Sequence, residues 1–209
     1  MTNVTIIGAG NMGSAIAGIA GVGGNSVQLL ARDAAKVSAA AAQANIAAST
    51  GVVGEAITGD IVVLALPYGA ISPVLEAYAG QLDGKVLVDL SNPLDFSTFD
   101  SLVVAAGSSA AAEIAAAVPT ASVLKAFNTN FAATLSSGAV GAEKTAVLIA
   151  GDDADAKASL AGIVTAGGLK AVDAGSLQRA HELEALGFLQ LTLAAAEKTS
   201  WTSGFALAE

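Results

Sequence analysis

The sequence predicts an α/β fold built on a doubly wound parallel sheet, and three observations carry that prediction. Short aliphatic runs alternate with Ala-rich helical stretches through the first 121 residues. Several of those runs are apolar at nearly every position, as strands covered on both faces are. The first run passes through a Gly-x-Gly-x-x-Gly segment directly into a helix.

Val4–Ile7 reads as the first buried strand and Asn11–Gly21 as a helix of small residues. Ser26–Ala31 is the second strand. Asp33 precedes an Ala-rich helix over 34–44 and is placed to cap it. A third strand is expected at Asn45–Ala48 and a short helix at Gly54–Thr58. Asp60–Leu66 is the clearest strand, stopped by Pro67. A helix over Ile71–Leu82, with Glu76 exposed, leads to a strand over Lys85–Leu90 that ends in Ser91-Asn92-Pro93. Farther on come a helix at Ala110–Val118, strands at Ser122–Phe127 and Thr145–Ala150, a helix at Ala154–Thr165 and a short strand at Lys170–Val172. The longest helix is expected over Ser176–Thr199. Its leucines occupy much of the circumference, which predicts burial nearly all round and is compatible with a homodimer. The pattern divides softly near Ser122. Residues 1–121 are expected to form a nucleotide-binding domain, and 122–209 an α/β part that completes the site.

Composition removes several function classes. The net charge of −9 argues against nucleic acid and anionic membrane as partners. With no cysteine, disulfides, thiolate metal sites and Cys nucleophiles are absent, and a single histidine rules out a multi-His metal site within one chain. The lone His181, between Arg179 and Glu182 in the last helix, is expected to be structural or on the surface. Met1–Ala31 carries no charge, but asparagines and glycines interrupt it and no basic stretch opens it. A buried strand and helix are the expectation there, in a cytoplasmic protein without a membrane span.

Gly8-Ala9-Gly10-Asn11-Met12-Gly13 is the motif that carries chemistry. After a strand and before a helix, each glycine has a mechanical role. Gly8 makes the tight turn, Gly10 admits a pyrophosphate close to the backbone, and Gly13 lets the helix pack on the strand. Free N–H groups at the helix start then face the phosphates. This is a Rossmann unit, so the predicted class is a Rossmann-type doubly wound parallel sheet with a small C-terminal α/β extension ending in a long helix. The end of the second strand selects the cofactor. Ala31 stands where an NAD site places a carboxylate, and Arg32 and Lys36 follow, one helical turn apart. If each forms a charged hydrogen bond of about 1.5 kcal/mol, NADPH is preferred over NADH by roughly a hundredfold. Asp33 lies about twenty residues after Gly13, at the distance of a ribose ligand, so NAD stays open as the alternative.

Five segments in order widen the reading: Gly8–Gly13, Ala31-Arg32, Asp60–Pro67, Val88–Phe96 and Lys125-Ala-Phe-Asn-Thr129. Together with Arg179, Glu182 and Glu184 near the end, the chain resembles the NADPH-dependent F420 reductase (F420:NADP oxidoreductase) family along nearly its whole length. The resemblance implies NADP(H) in a crevice at the strand ends and a deazaflavin, F420, or a flavin as hydride acceptor. Leu66, Pro67 and Tyr68 would border the nicotinamide with Asn92 and Pro93, and Asn128 and Thr129 would face the acceptor. Many members carry Ser or Thr at the position of Ala31, and no basic cluster awaits the acidic tail of F420. No catalytic residue is expected, because the rings themselves accept and release the hydride. Rival readings are a pyrroline-5-carboxylate-reductase-like imine reductase, a flavin or ferric reductase, and a non-catalytic NADP(H) sensor.

Overall fold

The computed structural model of the chain describes residues 1–208. Eight strands form one sheet in the order β10-β9-β6-β5-β4-β1-β2-β3. The strands are β1 (Asn3–Ile7), β2 (Ser26–Ala31), β3 (Ala48–Val52), β4 (Ile61–Leu64), β5 (Val86–Asp89), β6 (Ser122–Ala126), β9 (Ala146–Gly151) and β10 (Lys170–Gly175). A separate two-residue hairpin is made by β7 (Ala139–Val140) and β8 (Glu143–Lys144). The first six strands are mutually parallel, in the spatial order 3-2-1-4-5-6 of the dinucleotide-binding fold. β9 joins β6 antiparallel and carries β10 parallel to itself. The sheet therefore runs without a break from β5 into the C-terminal part.

Helices cover both faces. Alternation sends Val4 and Ile6 of β1 into one core, with α1 (Asn11–Val22), α2 (Ala34–Ala44) and α6 (Ala154–Ala166). Ile7 faces the other core, with α3 (Ile71–Ala77) and α4 (Ala110–Ala117). Local chemistry starts these helices. Asp33 accepts from the N–H groups of Ala35 and Lys36, Asp153 from those of Asp155 and Ala156, and Ser109 from that of Ala112.

The structure departs from the sequence-based expectation at several elements. No helix forms over 54–58. Gly54 has φ +107°, and side chains occupy the backbone there: Gln28 Nε2 donates to Ala56 O, and Glu55 Oε1 accepts from Val52 N–H. The third strand begins at Ala48, because Asn45 closes α2 in the left-handed region (φ 53°). α3 stops at Ala77, and turns carry the chain to Gly80 at φ +78°. A helix α5 (Ala132–Ser137), which the sequence reading does not expect, packs on α1 and buries Thr134 and Leu135. The last helix is α7 (Ala180–Ala195), preceded by a 3-10 turn over Leu177–Arg179. A Schellman turn ends α7: Glu197 takes φ 56°, Lys198 N–H donates to Leu193 O and Glu197 N–H to Ala194 O.

α7 is also not buried all round. Its buried stripe is Ala180, Leu183, Glu184, Gly187, Gln190 and Ala194, while Leu189 is 48% exposed. Glu184, Gly187 and Gln190 share the buried side with Leu183, so close approach and polar contacts select that face along with apolar bulk. Among the described residues, no helix is long and apolar enough to cross a membrane.

Candidate functional site: a strand-end crevice

Six parallel strands bring their carboxyl ends to one edge of the sheet, and the segments singled out above follow those ends. Gly8 leaves β1 between its two neighbours: its N–H donates to Leu30 O on the β2 side, and Ala65 N–H on the β4 side donates to Ile7 O. Gly8 has φ +126°, and a Cβ there would stand 2.1 Å from Ala65 O. A Cβ on Gly13 would stand 2.0 Å from Gly8 O, so α1 sits on β1 at a distance only glycine allows. Around Gly10, by contrast, a Cβ would meet nothing within 4 Å. The loop thus has two crowded glycines beneath and an open one above. α1 begins at Asn11 with no side-chain cap and no acidic residue in its first turn. That is the form of an anion cradle, and the residues present fit a pyrophosphate. Asn11 and Gly10 are exposed there, while Ala9 and Met12 are half-buried.

At the end of β2, Ala31 is half-buried, and Arg32 and Lys36 stand exposed. The carboxylate of Asp33 is turned back onto α2, with Ala35 N–H at 2.9 Å and Lys36 N–H at 3.4 Å.

Leu66, Pro67 and Tyr68 follow β4, with Pro67 exposed and the other two half-buried. The Tyr68 hydroxyl donates to Glu113 of α4, a very short contact. That bond, ahead of burial, pushes the phenol up to about 12, so Tyr68 holds its proton at neutral pH. A hollow of about 650 Å³ between α3 and α4 begins at Tyr68 and runs down the flank of the sheet, away from the glycine loop.

After β5 and β6 the geometry tightens. Asn92 Nδ2 donates to Asn128 O at 2.9 Å, and Asn128 Nδ2 donates to Asn92 Oδ1 at 2.9 Å and to Leu183 O of α7 at 2.8 Å. The two amides that the sequence offered to a ligand are therefore clasped to each other and to the last helix. α7 reaches them because Gly187 has no side chain: a Cβ there would lie 2.4 Å from Asn92 Oδ1. Phe127, fully buried, turns the chain at φ 64°, a strained conformation for a bulky residue. Pro93 and Thr129 are buried. The Ser91 hydroxyl and Asn128 Oδ1 are buried with no protein partner, one able to donate and one to accept beside the same strand ends. From β5 to α4 runs an irregular connection over residues 90–109, pinned by a Leu94–Leu102 bridge and carrying the exposed, edge-on pair Phe96–Phe99.

Behind these strand ends lies an ion cluster that sequence reasoning did not single out. Lys125 Nζ meets Asp89 Oδ2 at 2.7 Å and Glu184 Oε1 at 2.8 Å, with all three side chains fully buried. The same ammonium donates to Ser91 O in a short contact. Glu184 also accepts from the N–H groups of Ala110 (3.0 Å) and Ala111 (3.3 Å) at the start of α4. Burial outweighs the adjacent ammonium and holds the Glu184 carboxyl above its ordinary value. A charged residue inside each of two apolar strands, Asp89 and Lys125 on neighbours in the sheet order, is the sequence signal that could have found the pair. His181 is half-buried, with Nδ1 3.0 Å from Ser108 O.

Comparison with known proteins agrees with this geometry. The family model for NADP oxidoreductase, coenzyme F420-dependent, matches residues 3–93, from the first strand to Pro93. The rat metalloreductase STEAP3 (Rattus norvegicus) is 33% identical over 132 residues, which make up 63% of this chain and 26% of that protein. The chain thus spans about a quarter of the length of this curated relative. A structure from Sinorhizobium meliloti, a hypothetical protein, is 30% identical with a TM-score of 0.75, covering 85% of this chain and 86% of that one. A candidate F420-dependent NADP reductase from Arthrobacter sp. FB24 is 26% identical with a TM-score of 0.86 and full coverage of both chains. The strand order, the glycine cradle and these likenesses agree: residues 3–93 match the model of the coenzyme F420-dependent NADP oxidoreductases, and the chain resembles that family.

Proposed function

We propose that this chain binds NADP(H) along the strand-end crevice and exchanges a hydride between it and a flat acceptor of the deazaflavin (F420) or flavin class. One observation carries the cofactor choice. Asp33, the residue that could have bonded a ribose hydroxyl, is engaged as the cap of α2, while Arg32 and Lys36 stand exposed beside it. In this reading Gly8–Gly13 and the first N–H groups of α1 hold the pyrophosphate. Arg32 and Lys36 hold the 2′-phosphate, and Ala31 leaves room for it. Leu66, Pro67, Tyr68 and Asn92 border the nicotinamide end, with Pro93 supporting them from behind. Asn128 and Thr129 back the acceptor side, where the Ser91 hydroxyl and Asn128 Oδ1 are buried without a protein partner. Residues 1–121 thus supply the cofactor half, and 122–209 close the site through β6 and α7. The bound nicotinamide supplies the hydride; the chain supplies position and exclusion of water.

The test mixes purified protein, NADPH and oxidised F420 and follows loss of deazaflavin absorbance, with NADH in parallel. Rapid bleaching with NADPH alone supports the reading; bleaching at equal rates with NADH overturns the role of Arg32. The likeness to a metalloreductase favours a second reading, in which a flavin accepts the hydride and passes single electrons to two ferric ions per NADPH. Reduction of a ferric chelate that requires added flavin, with F420 inert, would select it.

A further inference from the structure

The buried ion cluster belongs to no step above, yet it touches every element that closes the site. Asp89 ends β5, Lys125 lies in β6, Glu184 projects from α7, and Glu184 in turn caps α4. Two carboxylates around one ammonium leave an excess negative charge in a dry environment. The N-terminal end of α4, aimed at Glu184 through two N–H groups, offsets part of it. Such a cluster is a costly way to stabilise a fold, since apolar residues of similar volume do as well. What it provides is direction. Lys125 has three acceptors at fixed positions, and one of them is the carbonyl of Ser91, two residues after Asp89 and next to Asn92. Asp89 Oδ1 holds the same residue from the other side, accepting Ser91 N–H at 2.9 Å. Both ends of the Ser91 backbone are thereby tied to the cluster. Three residues after Glu184, Gly187 brings α7 down on the Asn92–Asn128 clasp. The glycine loop, at the end of β1, lies across β4 from all of this, and Arg32 and Lys36, after β2, one strand farther.

We infer that Lys125 and Glu184 are positioning residues, which set the Ser91–Asn92 strand end and the seating of α7 against the nicotinamide half of the crevice without contributing to nucleotide affinity. The inference rests on the proposed placement of the nicotinamide beyond β4 and β5. It separates two quantities that a merely structural role would move together. Phosphate and adenosine contacts are made at the far side of the sheet, so affinity survives when the cluster is loosened. Alignment of the reacting ring does not, and misplacement on the scale of an ångström costs up to about a hundredfold in rate.

The experiment compares wild type with Glu184→Gln and Asp89→Asn. Asp89→Asn is the milder change, because it leaves Lys125 paired and α4 capped, so one variant stays folded for measurement. Three readouts are taken: NADPH affinity and bound-nicotinamide emission, both by fluorescence titration, and kcat and KM with the acceptor that wild type reduces. The expected result is NADPH affinity within about twofold of wild type, kcat lowered about tenfold or more, and bound-nicotinamide emission moved toward that of free NADPH. Unchanged kcat and emission in folded variants would overturn the inference, as would affinity and kcat falling in step with the folded fraction. Should wild type reduce neither F420 nor flavin, the proposed acceptor fails, and the emission signature decides the positioning role by itself.

Discussion

The two halves of the crevice solve opposite problems. At the β1–β2 end, the chain presents backbone and exposed cations. Gly10 borders open space, Arg32 and Lys36 are exposed, and the polar groups that could interfere are occupied elsewhere. At the β5–β6 end, the side chains are turned inward. Asn92 and Asn128 hold each other, Lys125 is surrounded by acceptors, and α7 is fitted over them with no room for a methyl group at Gly187. A surface meant to catch a charged, mobile phosphate works with groups that stay hydrated until they bind. A surface meant to hold a flat ring at a fixed attitude needs its framework settled beforehand. Affinity and alignment can thus be built at separate ends of one sheet edge, and mutations should separate them.

The largest effect is expected from Lys125→Met. It leaves two buried carboxylates without their ammonium and should cost about 3–5 kcal/mol of stability, read from a denaturant midpoint. A loss below about 1 kcal/mol would mean that water reaches the cluster. Gly13→Ala comes next. Its Cβ would press on Gly8 O, and the shift of α1 should cost about 3 kcal/mol and abolish NADPH binding together, because the cradle and the packing share one backbone. Arg32→Glu acts on the cofactor alone. NADPH affinity should fall by about a hundredfold with NADH affinity little changed and the melting temperature unaltered. Its companion, Asp33→Ala, should cost about 1 kcal/mol of stability through the lost cap while leaving the NADPH preference intact. A gain in NADPH affinity there would show that Asp33 opposes the phosphate directly.

The smallest effect is a pH slope. Glu184, facing Lys125, Asp89 and the start of α4, has a folded value above the usual 4.5 of its side chain. Between those two values the folded state binds more protons than the unfolded one. Stability contributed by this group is therefore greatest below 4.5 and falls as pH rises through the folded value. Glu184→Gln should flatten the stability curve across that window, measured as denaturant midpoint against pH. An unchanged slope would place the titration elsewhere.

Much of the fold and the glycine-loop half of the candidate site were legible in the chain. The glycine loop was readable from its spacing between a strand and a helix: Gly13 is required by Gly8 O, five residues earlier, although Gly8 itself is crowded by Ala65 O at the distant end of β4. Asp33 was readable as a cap because its partners, Ala35 and Lys36, are its immediate neighbours. Strand after strand was marked by aliphatic runs, since burial on both faces leaves few polar positions. Two departures have partners distant in the sequence as their cause. The 54–58 stretch was shaped by Gln28, and the true buried face of α7 was set by Asn92, Asn128 and Lys125.

Local spacing and hydrophobic period were enough to specify the parallel α/β plan, the glycine loop at the start of α1 and the exposed cations after β2. They were not enough to show that the strand-end asparagines clasp each other, that Ser91 and Asn128 keep free buried polar atoms, or that Asp89, Lys125 and Glu184 meet. Those arrangements appear with the tertiary structure, because their contacts join residues at least 36 positions apart. Whether a buried polar group is satisfied depends on which partner the fold delivers to it, and no local pattern carries that information.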